Sequence, residues 1–220
     1  MISVRQVVAE MYATNCWIVH SNSEAVIIDP GIGNPHLLKA IDHALEDLRP
    51  LAVIATHGHL DHTFSITPLT KSREIPAYIH SKDRELLTHP ERALSRETRE
   101  LFAGLSFFEP SDVFEIGNGD RIAFGNIELC FDHRPGHTAG SMVIRSESDK
   151  LLFSGDVLFK DGIGRTDLPT GSASQMQESL RELFLLSDDY QVFPGHGDRT
   201  TIAEERKHNQ YVSLALEGRL

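Results

Sequence analysis

At 220 residues, with 40% of them hydrophobic, the chain is long enough to bury one large core. Its net charge of −11 and pI near 5.5 argue against nucleic acid or an anionic membrane as partner, because both repel an acidic surface. No stretch approaches the roughly 18 apolar residues of a membrane span, and the N-terminus lacks the basic start and apolar run of a signal peptide, so the expected location is the cytoplasm.

Residues 3–8, 14–19 and 25–28 are rich in Val and Ile, are separated by turn residues, and read as strands. Asn34-Pro35 is a helix start, with Asn as cap and Pro at the first position. Leu37, Leu38, Ile41, Leu45 and Leu48 then recur at helical spacing, which should pack one face on a sheet. An apolar strand over 51–55 leads directly into T-H-G-H-L-D-H-T (56–63), and 76–80 reads as a further strand. The charged stretch 81–108 carries His89-Pro90 and ends with Phe102, Leu105, Phe107 and Phe108. It reads as helical segments joining two halves of the molecule, with those bulky side chains in the core.

Strands return from Val113. Residues 121–124 and 127–131 flank Gly125-Asn126, a two-residue hairpin signal, and strands at 141–145 and 151–153 follow. Ser172 with Gln175 three residues on is a capping box, and Met176, Leu180, Leu183 and Phe184 form the apolar face of the helix it starts. A strand at 191–193 runs into a glycine turn at His196, and a C-terminal helix starts near Thr201. Each half thus gives strands and then helices. The expected architecture is an α/β four-layer sandwich, two sheets with helices outside, forming one domain over 1–220. Cys16 and Cys130 both lie in strand-like segments and read as buried free thiols rather than a disulfide.

The chemistry concentrates in the 56–63 run. His57, His59, Asp61 and His62 lie within six residues, on a loop leaving a strand. Imidazole and carboxylate are the donors that first-row divalent metals take, and such spacing lets one segment serve two centres. Further candidates lie in strand-then-turn settings downstream: His137 in P-G-H-T, Asp156 in S-G-D-V-L-F, and His196 in P-G-H-G-D. His20, His36, His43, His80 and His89 have no partner pattern and are assigned no role.

These motifs together resemble the metallo-β-lactamase superfamily, an αββα sandwich. Within it, G-D-V-L-F-K-D-G-I-G-R-T-D-L-P (155–169) and A-E-E-R-K-H-N (203–209) resemble the glyoxalase II (hydroxyacylglutathione hydrolase) branch, in its short bacterial form. The resemblance implies that His57, His59 and His137 hold one metal and that Asp61, His62 and His196 hold a second. Asp156 would bridge them, since only a carboxylate has two oxygens placed to reach two cations. Asp61 is also the candidate catalytic carboxylate. Asp29, in I-D-P-G, resembles a residue that orients a ligand, or else is an ordinary turn carboxylate. The expected cofactors are two divalent ions, zinc first, with iron or manganese also suited to the donor set.

The reaction so implied is hydrolysis of a small thioester, possibly glutathione-derived, by a hydroxide shared between metals ~3.5–4 Å apart. A thiol of pKa ~8.5 leaves as thiolate with little help. Two departures from the branch bear on the thiol carrier. Larger members use basic residues in a C-terminal extension to contact the glycine carboxylate of glutathione, whereas here no lysine or arginine follows Asn209 until Arg219. Arg165 stands where the branch often has a lysine near the thiol conjugate, but the aromatic expected two residues on is Asp167. Arg165 is therefore either a substrate contact or one half of an ion pair with Asp167. The main alternative is an oxidoreductase resembling the persulfide dioxygenases, which share the fold and the G-R-T-D loop and use one iron held by two histidines and an aspartate. Their last histidine usually sits in P-A-H-D-Y, whereas this chain has P-G-H-G-D-R at 194–199, which favours the hydrolase.

Overall fold

A computed structural model describes residues 1–220. The first sheet contains β1 (Ser3–Val8), β2 (Asn15–Ser21), β3 (Glu24–Ile28), β4 (Arg49–Ile54), β5 (Ala77–His80) and β6 (Val113–Ile116), in that spatial order. Its first two pairings are antiparallel, and those from β3 to β6 are parallel. The second sheet contains β7 (Asp120–Phe124), β8 (Ile127–His133), β9 (Met142–Ser146), β10 (Leu151–Gly155), β11 (Gln191–Pro194) and β12 (Thr200–Thr201), also in chain order. All its pairings are antiparallel except β10 with β11.

Strand periodicity builds the layers. In β2, Trp17 and Val19 point between the sheets while Cys16 and Ile18 face the opposite side. Val26 and Ile28 of β3 point inward and Ile27 outward, and Ile54 and Val53 of β4 divide the same way. In the second sheet Ile144, Phe153 and Phe193 face inward, and Val143, Leu152 and Val192 outward. Because successive side chains alternate faces, a run of apolar residues covers both faces of a sheet that is buried on both. The outer face of the first sheet is covered by α1 (Pro35–Ala44) and α3 (Ile66–Arg73) through Leu37, Ile41, Ile66 and Leu69. That of the second is covered by α5 (Ala173–Leu183), α6 (Ile202–His208) and α7 (Gln210–Glu217). The result is the expected αββα sandwich. No helix is long and apolar enough to cross a membrane.

Local signals were realised with informative exceptions. Asn34 Oδ1 accepts from the backbone N–H of His36 and Leu37, both at 2.9 Å, and so starts α1. Gly125, with φ +58, turns β7 into β8 with Phe124 opposite Ile127. Ser172 Oγ accepts from Gln175 N at 3.4 Å, but its own N–H donates to Gly136 O at 2.8 Å, so the Gln175 side chain does not close the box. Cys16 and Cys130 are buried free thiols, and burial raises the pKa of each.

Three expectations were wrong. Residues 81–108 do not join the two halves: they form the connection from β5 to β6 within the first sheet, and the crossing between sheets is the short turn at 117–119. Nor are the four bulky residues at its end core, although Leu86 and Leu87 are buried. Phe108 is 70% and Leu105 54% exposed, and Phe102 and Phe107 are half-buried. That segment holds two 3₁₀ turns and one short helix, α4 (Arg96–Leu101), none long enough to bury a continuous face. The C-terminal helix is two helices, because Asn209 leaves helical geometry (φ −77, ψ 111) to cap α7 through the N–H groups of Tyr211 and Val212. The short α2 (Leu60–Thr63) and α3 were not anticipated.

Phe131 is fully buried between the sheets, whereas Leu185 is 84% exposed. Phe131→Ala should cost about 3–5 kcal/mol in urea denaturation, and Leu185→Ala less than about 0.5 kcal/mol. Equal effects would place the core elsewhere.

Candidate metal centre

Parallel pairing of β3 with β4, and of β10 with β11, sends the carboxyl ends of these strands to one edge, the usual position for ligand sites in open α/β sheets. The loop after β4 carries His57 and His59 and enters α2, whose first turn places Asp61 and His62 side by side. His137 lies between β8 and β9, Asp156 directly follows β10, and His196 follows β11. Close approach is possible because two glycines leave room. A Cβ on Gly195 would lie 2.3 Å from Asp156 Oδ1, and one on Gly155 (φ +48) would lie 2.4 Å from Thr56 Oγ1.

The structure brings together all seven side chains singled out in the sequence. Their donor atoms form three overlapping triads, each within 4.8 Å: His57–His59–His137, His57–His62–Asp156 and Asp61–His62–His196. Asp156 faces both ends of the cluster. Its Oδ2 lies 3.4 Å from His137 Nε2 and 3.5 Å from His196 Nε2, and its Oδ1 lies 3.4 Å from His62 Nε2. The His57, His59 and His137 Nε2 atoms and Asp156 Oδ1 are buried without any hydrogen-bond partner. Orphaned buried polar atoms are rare in proteins. Four of them converging on one point fit a cation that takes their lone pairs.

The far side of four of the five rings explains why Nε2 points inward. His137 Nδ1 donates to Arg165 O at 2.7 Å, and His196 Nδ1 donates to Tyr12 O at 3.1 Å. A carbonyl can only accept, so these rings carry their proton on Nδ1 when neutral and leave Nε2 a lone pair. His57 Nδ1 lies 3.1 Å from Thr56 Oγ1, which itself donates to Asp29 Oδ2 at 2.6 Å. Asp29 also accepts from Thr56 N at 2.8 Å, and its Oδ2 lies 3.0 Å from His62 Nδ1. Of its two possible roles, the orienting geometry is the one present.

Charge divides the cluster. Burial holds the pKa of His57 well below the imidazole range, and with the neighbouring imidazoles it takes His137 down to about 3. Burial likewise takes His59 down to about 4, against the pull of Asp61. At His62 burial opposes protonation, yet Asp156, Asp61 and Asp29 around it prevail and raise its pKa to about 10. Burial raises Asp156 to about 6. Without metal, one end of the cluster is a neutral imidazole trio and the other a protonated His62 among carboxylates.

Arg165 forms a bidentate pair with Asp167, Nε to Oδ1 and Nη2 to Oδ2, both at 2.7 Å. It also lines a cavity of about 210 Å³ whose wall includes His59, Asp61, His137 and Asp156.

Two organisers were missed in the sequence. Asp83 is fully buried and accepts from Gly58 N (2.8 Å), Thr138 Oγ1 (2.6 Å) and Gly140 N (2.7 Å), tying the 57–59 loop to the loop of His137. It sits in an ordinary S-K-D-R stretch, and no local pattern marks it. Glu205, also buried, accepts from Asp161 N (2.8 Å), Thr200 Oγ1 (2.6 Å) and Asn209 Nδ2 (2.8 Å). Asn209 Nδ2 donates in addition to Gly162 O at 3.0 Å. The A-E-E-R-K-H-N motif is thus a clamp on the loop whose Arg165 carbonyl orients His137. Its spacing from Glu205 to Asn209 was the available signal.

Comparison with known proteins agrees with this geometry. The profile of the metallo-beta-lactamase superfamily matches residues 10–196. The chain belongs to that superfamily. It is 40% identical over 213 residues to an uncharacterized protein of Mycobacterium tuberculosis, covering 93% of this chain and 95% of that one. It is 32% identical over 206 residues to hydroxyacylglutathione hydrolase GloC of Haemophilus influenzae, covering 92% and 94%. Among solved structures, BLEG-1 B3 metallo-beta-lactamase superposes with a TM-score of 0.86 at 32% identity, over 96% of this chain and all (100%) of that one. TTHA1623, in a di-iron-bound form, gives 0.81 at 31%, over 94% and 100%. ETHE1 from Myxococcus xanthus gives 0.75 at 26%, over 99% and 92%.

Asp83→Ala would strand the buried N–H groups of Gly58 and Gly140, at about 1–3 kcal/mol each. In urea denaturation with chelator present it should destabilise the protein by at least about 2 kcal/mol, and Asp83→Asn, which keeps one acceptor oxygen, by less. A loss under about 0.5 kcal/mol would mean that the loops hold together without it.

Proposed function

We propose that this metallo-hydrolase superfamily member cleaves thioesters at a two-metal centre. The observation that carries the reading is Asp156, which presents carboxylate oxygens to both ends of a cluster containing three orphaned imidazole nitrogens. His57, His59 and His137 would hold one cation, Asp61, His62 and His196 the second, and Asp156 both. Zinc is the first expectation, and the di-iron form of TTHA1623 keeps iron as a candidate. Bound there, two divalent ions supply Lewis acidity and lower the pKa of water toward ~7, so that no separate general base is needed.

The chain's own groups fit a thioester. Asp61 and Asp156 contribute two negative charges against four, leaving the centre positive toward an electron-rich carbonyl. Apart from the candidate ligands, the ionisable residues lining the cavity are Tyr12 and Arg165, neither of them a carboxylic acid or an imidazole. A thiolate leaving group (pKa ~8.5) needs no proton donor, whereas an amine does. Similarity to GloC supports the same class of bond. Likeness to BLEG-1 gives β-lactam hydrolysis as the second reading, to which the absence of a dedicated acid is less suited. The complete Asp61–His62–His196 triad favours two cations over the one-iron oxidoreductase.

The test is a free-thiol assay on metal-loaded protein, run beside a chromogenic cephalosporin and oxygen uptake with glutathione persulfide. Thiol release should dominate. His59→Ala and Asp156→Ala should each lower kcat/KM by more than about tenfold. Cephalosporin turnover or oxygen uptake exceeding thiol release would overturn the assignment.

The pKa pattern adds a pH dependence. His62 is protonated below about 10, and nearby carboxylates raise His196 as well; each must lose its proton to ligate, so affinity at their triad should rise at least about tenfold per pH unit between pH 6 and 8. His59 and His137, at about 4 and about 3, are already neutral, so their triad should release fewer protons over that range, chiefly from Asp156 near its lower end. Calorimetry in buffers of different ionisation enthalpy reads this directly. Equal proton release in both binding steps would contradict the asymmetry.

A further inference from the structure

We propose that the substrate is a thioester with an apolar aliphatic acyl group, and that an anionic peptide carrier such as glutathione is disfavoured. This rests on the thioester reading above and extends it to the acyl and thiol parts. Beside the candidate ligands, the lining of the cavity over the metal centre includes Ile32, Leu60, Leu94, Phe102 and Leu168. Leu94 and Phe102 come from the β5–β6 connection. At about 210 Å³ the space is below the roughly 300–1,000 Å³ of pockets that take a whole drug-sized ligand. It suits a short acyl chain, with the thiol part lying outside it.

Charge points the same way. Glutathione carries two carboxylates and needs cations free to meet them. Arg165 is the one lysine or arginine lining the cavity, and its Nε and Nη2 are both engaged by Asp167. Arg219, the first cation of the C-terminal run, is paired with Glu217 at 2.7 Å and lies outside the cavity lining. Bringing an anionic peptide to a protein of net charge −11, at a cavity lined by a single, carboxylate-paired cation, is unfavourable. An aliphatic chain against five apolar side chains has no such penalty. In the reaction water adds to the carbonyl carbon, the C–O bond forms and the C–S bond breaks. The products are a carboxylate, a thiol and the balancing proton.

The experiment compares acetyl, butanoyl and hexanoyl thioesters of N-acetylcysteamine, an uncharged thiol, with S-lactoylglutathione on the metal-loaded enzyme. We expect kcat/KM to rise about fourfold per methylene until the cavity is full, from ~0.8 kcal/mol per buried CH₂. Hexanoyl should exceed S-lactoylglutathione by at least tenfold. Phe102→Ala, with unchanged metal content, should cut the hexanoyl-to-acetyl ratio about fivefold. A flat acyl series, or preference for S-lactoylglutathione, overturns this proposal while leaving thioester hydrolysis standing. Failure to cleave any of the four overturns the thioester reading itself.

Discussion

Bare imidazole nitrogens pointing into a water-poor cluster are the constraint around which this chain is built. An unpartnered buried polar atom costs about 1–3 kcal/mol, and four of them converge here. Their direction is fixed from behind. Carbonyls of Arg165 and Tyr12 accept from His137 and His196, and Asp29 with Thr56 backs His57 and His62. The clusters that separate the layers hold the strands, and the strands hold these carbonyls. Core packing and metal chemistry are therefore linked through hydrogen bonds on the outer faces of the rings.

Asp83 and Glu205 show how far that support extends. Each is a buried carboxylate surrounded by donors, and neither touches the centre. Asp83 locks the His57–His59 loop to the His137 loop, while Glu205 and Asn209 fasten the segment that presents the Arg165 carbonyl. A shift in either loop would turn an imidazole away from its neighbours, so loops rather than strands set the precision of the site.

Much of this was legible in the sequence, for physical reasons that differ by region. Apolar strands, the T-H-G-H-L-D-H run with four of the clustered side chains, and the P-G-H-T, S-G-D and P-G-H-G turns with the other three are all local patterns. The role of 81–108 was not legible, because bulky residues in a charged stretch look alike whether they fill a core or roof a cavity. Only the pairing of β6 with β5 decides that they belong to the first sheet's connection. Asp83 was invisible for a similar reason: its three donors come from residues 58, 138 and 140. Asn209 broke the C-terminal helix because its side chain caps α7, a competition that helical periodicity alone does not reveal.

The account as a whole depends on two cations seated among seven side chains. Anomalous diffraction at the metal edges, from crystals of protein purified without chelator, examines this most directly. Two peaks are expected in each chain, one against the Nε2 atoms of His57, His59 and His137 and one against His62, His196 and Asp61, with Asp156 between them. A single peak, or none after soaking with zinc and with iron, would contradict it.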